Sequence, residues 1–269
     1  MINLKIEKVL LFPSPKGNVS EANIKNIEST LLSFGIESER FSENGNLDFD
    51  AIVALGGDGT MLKAASIAFK SNKPIMSINF GTLGYMSGLE NGELSMLSRL
   101  KDGCTTEKRM LLDIKVCRSG SVVAEATALN EAVVTRASDG DIASIELKCD
   151  GATVCAYRAD GIIIATPTGS SAYAMSAGGP IIDTKLDAFC VCPICPHALG
   201  ARAMVFSPNS VLEAVNNNQN AGNNLLADGK TVCALEHGDI VRVSKSERTL
   251  EIIKLKKDAF YETLYNKMK

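Results

Sequence analysis

Residues 1–103 alternate between short apolar runs and longer stretches whose apolar residues recur at helical spacing. The apolar runs at residues 6–12, 51–55 and 74–79 are typical of buried strands. Between them, "SEANIKNIESTLLSFG" begins with Ser20, a candidate N-cap, and "MLKAASIAFK" has a helical pattern. Because strands alternate with helices, we expect a mostly parallel, doubly wound α/β sheet.

The pattern changes after about residue 104. Short pieces of alternating apolar and polar residues follow one another, separated by Gly, Asp, Ser and Asn, as is typical of an all-β domain. The tail "KDAFYETLYNKM" places Phe260 and Leu264 at helical spacing and predicts a C-terminal helix. We therefore expect an α/β domain over residues 1–103 and an all-β domain over residues 104–249, with the tail (about 250–269) packing back onto the first domain.

Composition and charge argue against several classes of protein. The formal net charge of -3 gives no support for general binding to nucleic acid. No apolar run reaches the length of about 18 residues that a membrane-spanning helix needs. The segment "MINLKIEKVLLFPSPKG" lacks a signal-peptide cleavage pattern. We expect a cytoplasmic protein with no membrane partner.

The cysteines allow two interpretations. The tightest group, "CVCPIC", contains three cysteines, and another cysteine with two histidines offers further zinc ligands. The same stretch also looks like a buried apolar run, in which free cysteine packs as a small hydrophobe, and we favour that interpretation. The residues concerned are Cys190, Cys192, Cys195, Cys233, His197 and His237.

The stretch "ALGGDGTML" (54–62) places glycines and one aspartate between a strand-like and a helix-like segment. Backbone amides and a helix N-terminus at one point favour phosphate binding. Asp58 is anomalous there, since a carboxylate repels phosphates unless it takes a proton from an attacking hydroxyl or binds the magnesium of a nucleoside triphosphate. The alternative is a tight turn in which Asp58 caps the helix.

Two further motifs follow strand-like segments. "NFGTLGYM" (79–86) predicts glycines, Gly81 and Gly84, at the same carboxyl edge of the sheet, where ligands bind in such folds. In "LNEAVV", the Asn130 side chain can both donate to and accept from an adenine edge, and the Glu131 carboxylate can accept both hydroxyls of a ribose. A plain turn or a solvated edge is the alternative for this pair.

The stretch "RADGIIIATPTGSSAYAMSAGGPII" (158–182) predicts a buried strand, a polar turn and a helix-like segment. Its hydroxyl groups are numerous enough to enclose a polar ligand, and Tyr173 offers a flat face to a heterocycle. The hydroxyl-bearing residues are Thr166, Thr168, Ser170, Ser171 and Ser176.

Together these motifs resemble the NAD kinase family. "GGDGT" alone is shared with 6-phosphofructokinases and with diacylglycerol and sphingosine kinases, whereas "NE" and residues 158–182 are similar to NAD kinases. The similarity runs from about residue 52 to 230. This chain departs from the family pattern at Ser171, where Thr is frequent, at Ala203, which replaces Pro, and at Lys230, which replaces Gln in "LADGK".

The resemblance implies transfer of the γ-phosphoryl group of ATP, or of polyphosphate, to the 2′-hydroxyl of the adenosine ribose of NAD. It implies that Asp58 is the base and that Asn130 and Ser171 meet the adenine, Glu131 the ribose, and Asp160 with Arg158 the nicotinamide end. The residues expected at the ATP phosphates are Gly56, Gly57, Gly59, Thr60 and Lys63. The other expected NAD contacts are Asp58, Gly59, Ala172, Tyr173, Ala174, Met175, Ser176 and Lys230.

The resemblance also implies Mg²⁺ carried by ATP and a homo-oligomer, either a dimer or a tetramer. Three other functions stay open at this point. A lipid or sugar kinase shares only the "GGDGT" loop, and a non-catalytic NAD(P)-binding regulator would not need Asp58. A dehydrogenase would need G-x-G-x-x-G after the first strand, where "FPSPKG" stands.

Overall fold

A computed structural model describes residues 4–43, 45, 48–81, 84–86, 88–137, 142–219, 222–256, 259–267 and 269. Thr82 and Leu83 of the "NFGTLGYM" motif lie outside the described residues, as do Lys257, Asp258 and Met268 of the tail. The chain forms two compact units, Met1–Lys108 with Leu250–Lys269, and Arg109–Thr249.

The first unit has a parallel sheet with helices, which confirms the predicted α/β class. The middle of its sheet has the order β2-β1-β3-β4, with β5 and the end of β17 also parallel to β4. Its strands are β1 (Lys8–Pro13), β2 (Glu37–Arg40), β3 (Ala51–Leu55), β4 (Ile75–Asn79), β5 (Leu89–Glu90) and the end of β17 (Ile240–Lys254). Its helices are α1 (Glu21–Ser33), α2 (Asp58–Ser71), a 3-10 helix (Asn91–Ser98), α3 (Arg99–Asp102) and the predicted C-terminal helix α5 (Ala259–Lys267).

The ends of α1 and α2 follow from local chemistry. The Ser20 hydroxyl accepts the amide of Asn23 at 3.2 Å, so Ser20 caps α1 as predicted. Helix α2 starts earlier than the "MLKAASIAFK" pattern indicates, at Asp58, because Gly57 takes the extended conformation of an N-cap. Among the described residues, no helix is long and apolar enough to cross a membrane.

The second unit is built almost wholly of strands, as predicted, apart from a 3-10 turn (Gly169–Ser171) and the one-turn helix α4 (Tyr173–Ser176). One of its sheets is antiparallel, in the order β13-β12-β11-β8-β15-β16, and β9 pairs with β10 and β14 in another. The strands are β6 (Thr105–Arg118), β7 (Ser121–Ala128), β8 (Glu131–Arg136), β9 (Ala143–Cys149), β10 (Ala152–Ala159), β11 (Gly161–Ala165), β12 (Phe189–Ile194), β13 (Met204–Phe206), β14 (Leu212–Asn216), β15 (Asn223–Ala227) and β16 (Lys230–Leu235).

Strand β11 is central to the second unit because it pairs with both β8 and β12. All five of its residues are buried, as the run "GIIIA" predicts for a strand covered on both faces. Since Glu131 lies opposite Ala165, the start of β8 lies beside the end of β11. This register brings two sequence motifs, the Asn-Glu pair and the hydroxyl-rich turn, to the same end of the sheet.

The "CVCPIC" stretch is a buried strand only as far as Ile194. Cys190 and Cys192 are fully buried in an apolar cluster, with their sulfur atoms 3.5 Å apart. The expectation that Cys195 is buried is wrong, because β12 ends one residue earlier and the backbone of Cys195 turns with φ +45° into an exposed position.

Gly161 tests how tightly β11 is packed. A Cβ atom at this position would lie 2.4 Å from the carbonyl oxygen of Val134, which cannot move without breaking the β8–β11 ladder. We expect Gly161→Ala to lower the free energy of unfolding by about 1–3 kcal/mol, the usual cost of overpacking. Chemical denaturation measures the change.

Gly200→Ala is the matched control, because nothing lies within 4 Å of the added Cβ there. Equal stability of the two variants would contradict the packing described for β11.

Candidate functional site

The glycine–aspartate loop (Gly56–Thr60) begins where β3 ends. The amide of Gly56 donates to the carbonyl oxygen of Ile78 at 2.9 Å, which joins the ends of β3 and β4 at one edge of the sheet. Gly56 has φ +146°, and a Cβ there would lie 2.4 Å from the hydroxyl oxygen of Thr60. Glycine is therefore required for the chain to turn here and for Thr60 to pack beneath it.

The amides after Gly56 remain available. The amides of Thr60 and Met61 both donate to the carbonyl of Gly57, at 2.9 and 3.1 Å. Across the described part of the chain, the amides of Gly57, Asp58 and Gly59 have no acceptor. They stand at the N-terminus of α2, a helix of 14 residues, where the helix dipole also favours an anion. This arrangement can bind phosphate oxygens.

The Asp58 carboxylate is held in place by two backbone amides. Its oxygens accept hydrogen bonds from the amides of Tyr85 at 2.8 Å and of Met86 at 3.0 Å. The alternative that Asp58 caps the helix is wrong, since Gly57 is the N-cap and Asp58 is the first helical residue. Each carboxylate oxygen retains a second lone pair that can accept a proton.

Two of the lysines on the helices of this unit, Lys63 and Lys267, concern the candidate site. The Lys63 side chain on α2 is exposed, which fits the solvated alternative as well as a phosphate contact. The Lys267 ammonium on α5 lies 4.3 Å from the ring centroid of Tyr85, the residue whose amide donates to Asp58. Pattern analysis did not single out Lys267, because its contact depends on how the C-terminal helix packs.

The Asn-Glu turn (Leu129–Glu131) has every backbone polar group paired. The Asp228 carboxylate accepts the amides of Leu129 at 2.8 Å, Asn130 at 2.7 Å and Glu131 at 3.3 Å. The Thr166 hydroxyl donates to the carbonyl of Leu129 at 2.6 Å, and its amide donates to that of Asn130 at 2.8 Å. The carbonyl of Glu131 accepts the amide of Asp228 at 3.0 Å. The turn is rigid without using its own side chains.

The side chains of this turn are buried and incompletely paired. Asn130 and Glu131 are each 6% exposed, and Asn130 Oδ1 and Glu131 Oε2 have no hydrogen-bond partner among the described residues. Burial, with a smaller contribution from the Asp228 charge, raises the pKa of Glu131 to about 8. A buried polar atom without a hydrogen-bond partner lowers the stability of the folded protein. One such oxygen on each of two consecutive residues therefore indicates a site at which a ligand supplies the missing donors.

The hydroxyl-rich turn (Thr166–Ser176) is partly structural, which corrects the expectation of a ligand contact for two of its hydroxyls, those of Thr166 and Ser170. The Ser170 hydroxyl donates to the carbonyl of Pro167 at 2.7 Å and accepts the amide of Ile182 at 2.9 Å. Like the Thr166 hydroxyl, it is fully buried and serves the backbone. The Ser171 hydroxyl donates to the carbonyl of Thr168 at 3.2 Å and retains its acceptor lone pairs.

The second half of this turn is more open. Tyr173 and Met175 are 43% and 37% exposed, Ser176 is exposed and Ala172 is partly buried. Ala174 is fully buried in the apolar cluster that contains Cys190 and Cys192, so its side chain faces the core. Tyr173 keeps the open face expected of a surface that stacks on a heterocycle.

Three other candidate residues have simpler surroundings. Asp160 pairs with Arg136 at 3.0 Å, whereas Arg158 has an exposed side chain. Lys230 is exposed, directly after the turn that contains Asp228. Arg136 and Asp228 escaped the sequence analysis because their partners are far away along the chain, although Asp-Gly is a preferred sequence for a two-residue hairpin turn and could have indicated one at Asp228.

The cysteines and histidines do not form a zinc cluster within the described residues, where no three or more His, Cys, Asp or Glu side chains come together. Cys190 and Cys192 instead pack in the apolar core of the second unit.

Comparison with known proteins gives consistent results. Residues 12–99 match the family model described as ATP-NAD kinase N-terminal domain, and residues 129–255 match the ATP-NAD kinase C-terminal domain. The NAD kinase of Symbiobacterium thermophilum is 37% identical over 224 residues, 82% of this chain and 79% of that protein. The NAD kinase of Acetivibrio thermocellus is 32% identical over 241 residues, 88% of this chain and 83% of that one.

Two solved structures are also similar. The NAD kinase from Archaeoglobus fulgidus in complex with ATP has a TM-score of 0.76 and 27% identity, and the match covers 97% of this chain and 98% of that one. Yeast NADH kinase complexed with NADH has a TM-score of 0.86 and 21% identity, covering 99% and 88%, and this likeness shows the fold.

The raised pKa of Glu131 predicts a pH-dependent stability. The folded protein holds this proton more tightly than the unfolded chain, whose carboxyl has the ordinary value of 4.5. The stabilising contribution is thus complete below pH 4.5 and is lost as pH rises through about 8. We expect Glu131→Gln to have a higher Tm than the parent at pH 8, with a difference that shrinks toward pH 4.5.

Glu125→Gln, which changes an exposed carboxyl on β7, is the control and should follow the parent at every pH. A Tm of Glu131→Gln that runs parallel to the parent from pH 5 to pH 8 would show that Glu131 does not hold a proton in the folded protein.

Proposed function

The chain belongs to the NAD kinase family, and from this premise we propose that it transfers the γ-phosphoryl group of ATP to the 2′-hydroxyl of the adenosine ribose of NAD, giving NADP. The observation that carries the proposal most directly is the pair of buried oxygens to which no described residue donates, Asn130 Oδ1 and Glu131 Oε2. Asn130 Oδ1 is an acceptor that suits the adenine amino group, and the Glu131 carboxylate, once ionised, can accept the ribose hydroxyls of NAD.

The phosphate donor is assigned to the glycine–aspartate loop. The amides of Gly57, Asp58 and Gly59, for which the described residues offer no acceptor, would bind phosphate oxygens, with the α2 dipole adding to the attraction. Gly56 and Thr60 shape the turn that exposes these amides. Lys63 is one helical turn further on and could reach the phosphates as a flexible cation. We propose that Mg²⁺ arrives with ATP and neutralises phosphate charge.

Asp58 is the proposed base. As the 2′-hydroxyl oxygen forms its bond to the γ-phosphorus, Asp58 takes the hydroxyl proton, the bond to the bridging oxygen breaks, and ADP leaves with that oxygen. The amides of Tyr85 and Met86 orient the carboxylate, which reduces the freedom that the transition state would otherwise have to remove.

NAD is assigned to the second unit. Asn130 and Ser171 are proposed for the adenine, Glu131 for the ribose hydroxyls, and the open face of Tyr173 for stacking on a ring. Asp160, oriented by Arg136, is proposed toward the nicotinamide end. The remaining candidates at the dinucleotide are Arg158, Ala172, Ala174, Met175, Ser176 and Lys230, with Ala174 limited to its backbone because its side chain is buried.

We also propose a cytoplasmic homo-oligomer, a dimer or a tetramer, with small molecules as its other partners. Size-exclusion chromatography with light scattering measures the state directly. A monomer at every concentration would contradict this part of the proposal.

A coupled assay tests the reaction. The pure protein is incubated with NAD, Mg²⁺ and either ATP or polyphosphate, and an NADP-specific dehydrogenase reports the product. Diacylglycerol and fructose 6-phosphate serve as competing acceptors. NADP formation supports the proposal and identifies the donor, whereas phosphorylation of a competing acceptor alone, or NAD binding without turnover, would contradict it.

Asp58→Asn tests the base. We expect turnover to fall by about 10²–10⁴-fold, the usual contribution of a positioned acid or base, while the Kd for NAD stays near that of the parent. Stopped assays and isothermal titration measure the two quantities.

Asp50→Asn is the matched control, because the Asp50 carboxylate also accepts two backbone amides, those of Glu7 at 2.8 Å and Lys8 at 2.9 Å. It should lose stability but retain turnover. Equal turnover in Asp58→Asn and the parent would exclude Asp58 as the base.

A further inference from the structure

Asp228 has no part in the reaction as described above, yet it makes more hydrogen bonds to the Asn-Glu turn than any other residue that the structure describes. It lies in the two-residue turn between β15 and β16, where Asp228 has φ +49° and Gly229 φ +73°. Positive φ at both positions is the geometry of a type I′ hairpin, and Asp-Gly is a preferred sequence for it. The turn thus delivers a carboxylate to the amides of Leu129, Asn130 and Glu131.

We propose that Asp228 is a positioning residue for the dinucleotide, whose carboxylate fixes the backbone of the Asn-Glu turn and so keeps Asn130 Oδ1 and Glu131 Oε2 free for NAD. The inference rests on the proposed function. Without Asp228, three adjacent amides would need other acceptors, and Asn130 Oδ1 and Glu131 Oε2 are acceptors in the same segment that no described residue uses. Those oxygens would then be occupied by the protein's own backbone.

A second hairpin in the same unit shows what is particular about Asp228. Asp150 and Gly151 form a turn of the same geometry between β9 and β10, with φ +52° and +82°. Asp150 likewise accepts a backbone amide, that of Val211 at 2.8 Å, and donates its own amide to the carbonyl of Val211 at 2.9 Å. The two turns share their chemistry and differ in the segment that they hold.

Asp228 also acts on Glu131 through its charge. Burial raises the pKa of Asp228, and the three amide donors oppose this rise by favouring its ionised form. The negative charge of Asp228 contributes to the raised pKa of Glu131. The other strand beside β8 is β11, "GIIIA", which has no titratable side chain, and the following turn presents hydroxyls. On the hairpin side, Lys230 is the further charge, and it acts on Asp228. Removing the Asp228 charge should therefore let Glu131 ionise at a lower pH.

The experiment compares Asp228→Asn with Asp150→Asn. NAD binding to the full-length protein is measured by isothermal titration without ATP, from pH 6 to pH 9, alongside Tm. We expect Asp228→Asn to weaken NAD binding by about 10-fold or more. The Asn side chain places an NH2 group, which is a donor, where the Leu129 amide now donates to a carboxylate oxygen, so the two donors face each other without an acceptor. Because the ionised Glu131 carboxylate accepts the ribose hydroxyls, NAD affinity should rise with pH. The midpoint of this rise should lie at a lower pH in Asp228→Asn than in the parent. Asp150→Asn should lower Tm and leave both properties unchanged.

Asp228→Glu keeps the charge on a longer side chain, so it should lose NAD affinity while keeping the parental pH midpoint. This variant decides the matter if Asp228→Asn does not fold. A parental Kd in both Asp228→Asn and Asp228→Glu, or weaker binding in Asp228→Asn with an unshifted midpoint, would overturn the proposal. If the parent itself neither binds NAD nor forms NADP, the proposed function fails instead, and the two results are distinguishable.

Discussion

The dinucleotide site proposed in the second unit depends on one short backbone segment, Leu129–Glu131, whose amides and carbonyls are all hydrogen-bonded. Asp228 satisfies its three amides and Thr166 satisfies two of its carbonyls, so the segment needs nothing from its own side chains. Asn130 and Glu131 are consequently buried with oxygens that no described residue uses. This arrangement costs stability in the free protein and provides a preorganised set of acceptors, a common compromise at functional sites.

The first unit offers hydrogen-bond donors where the second offers acceptors, and it too holds a key group in place with backbone hydrogen bonds. The loop after β3 leaves three amides without an acceptor among the described residues at the start of α2, and two other amides hold the Asp58 carboxylate. One unit therefore offers donors suited to phosphate oxygens, and the other offers acceptors suited to amino and hydroxyl groups. These are the complementary groups of a nucleotide donor and a dinucleotide acceptor, which agrees with membership of the NAD kinase family.

Local chemistry could be predicted from the sequence. The Ser20 cap, the strand at Ala51–Leu55, the glycine loop before α2 and the C-terminal helix all follow from spacing and residue type. Long-range contacts could not be predicted in this way. Asp228 lies about a hundred positions from the turn that it holds, Arg136 is the partner of Asp160, and the Thr166 and Ser170 hydroxyls serve the backbone. Cys195 was wrongly expected to be buried, because composition does not show where a strand ends.

A crystal structure of the protein with NAD bound would show which atoms pair with the side chains of the Asn-Glu turn. We expect Asn130 Oδ1 and Glu131 Oε2 each to gain a hydrogen bond from the dinucleotide within about 3.2 Å, while the bonds from Leu129–Glu131 to Asp228 stay as they are. NAD bound elsewhere, with both oxygens still buried and without partners, would contradict this expectation.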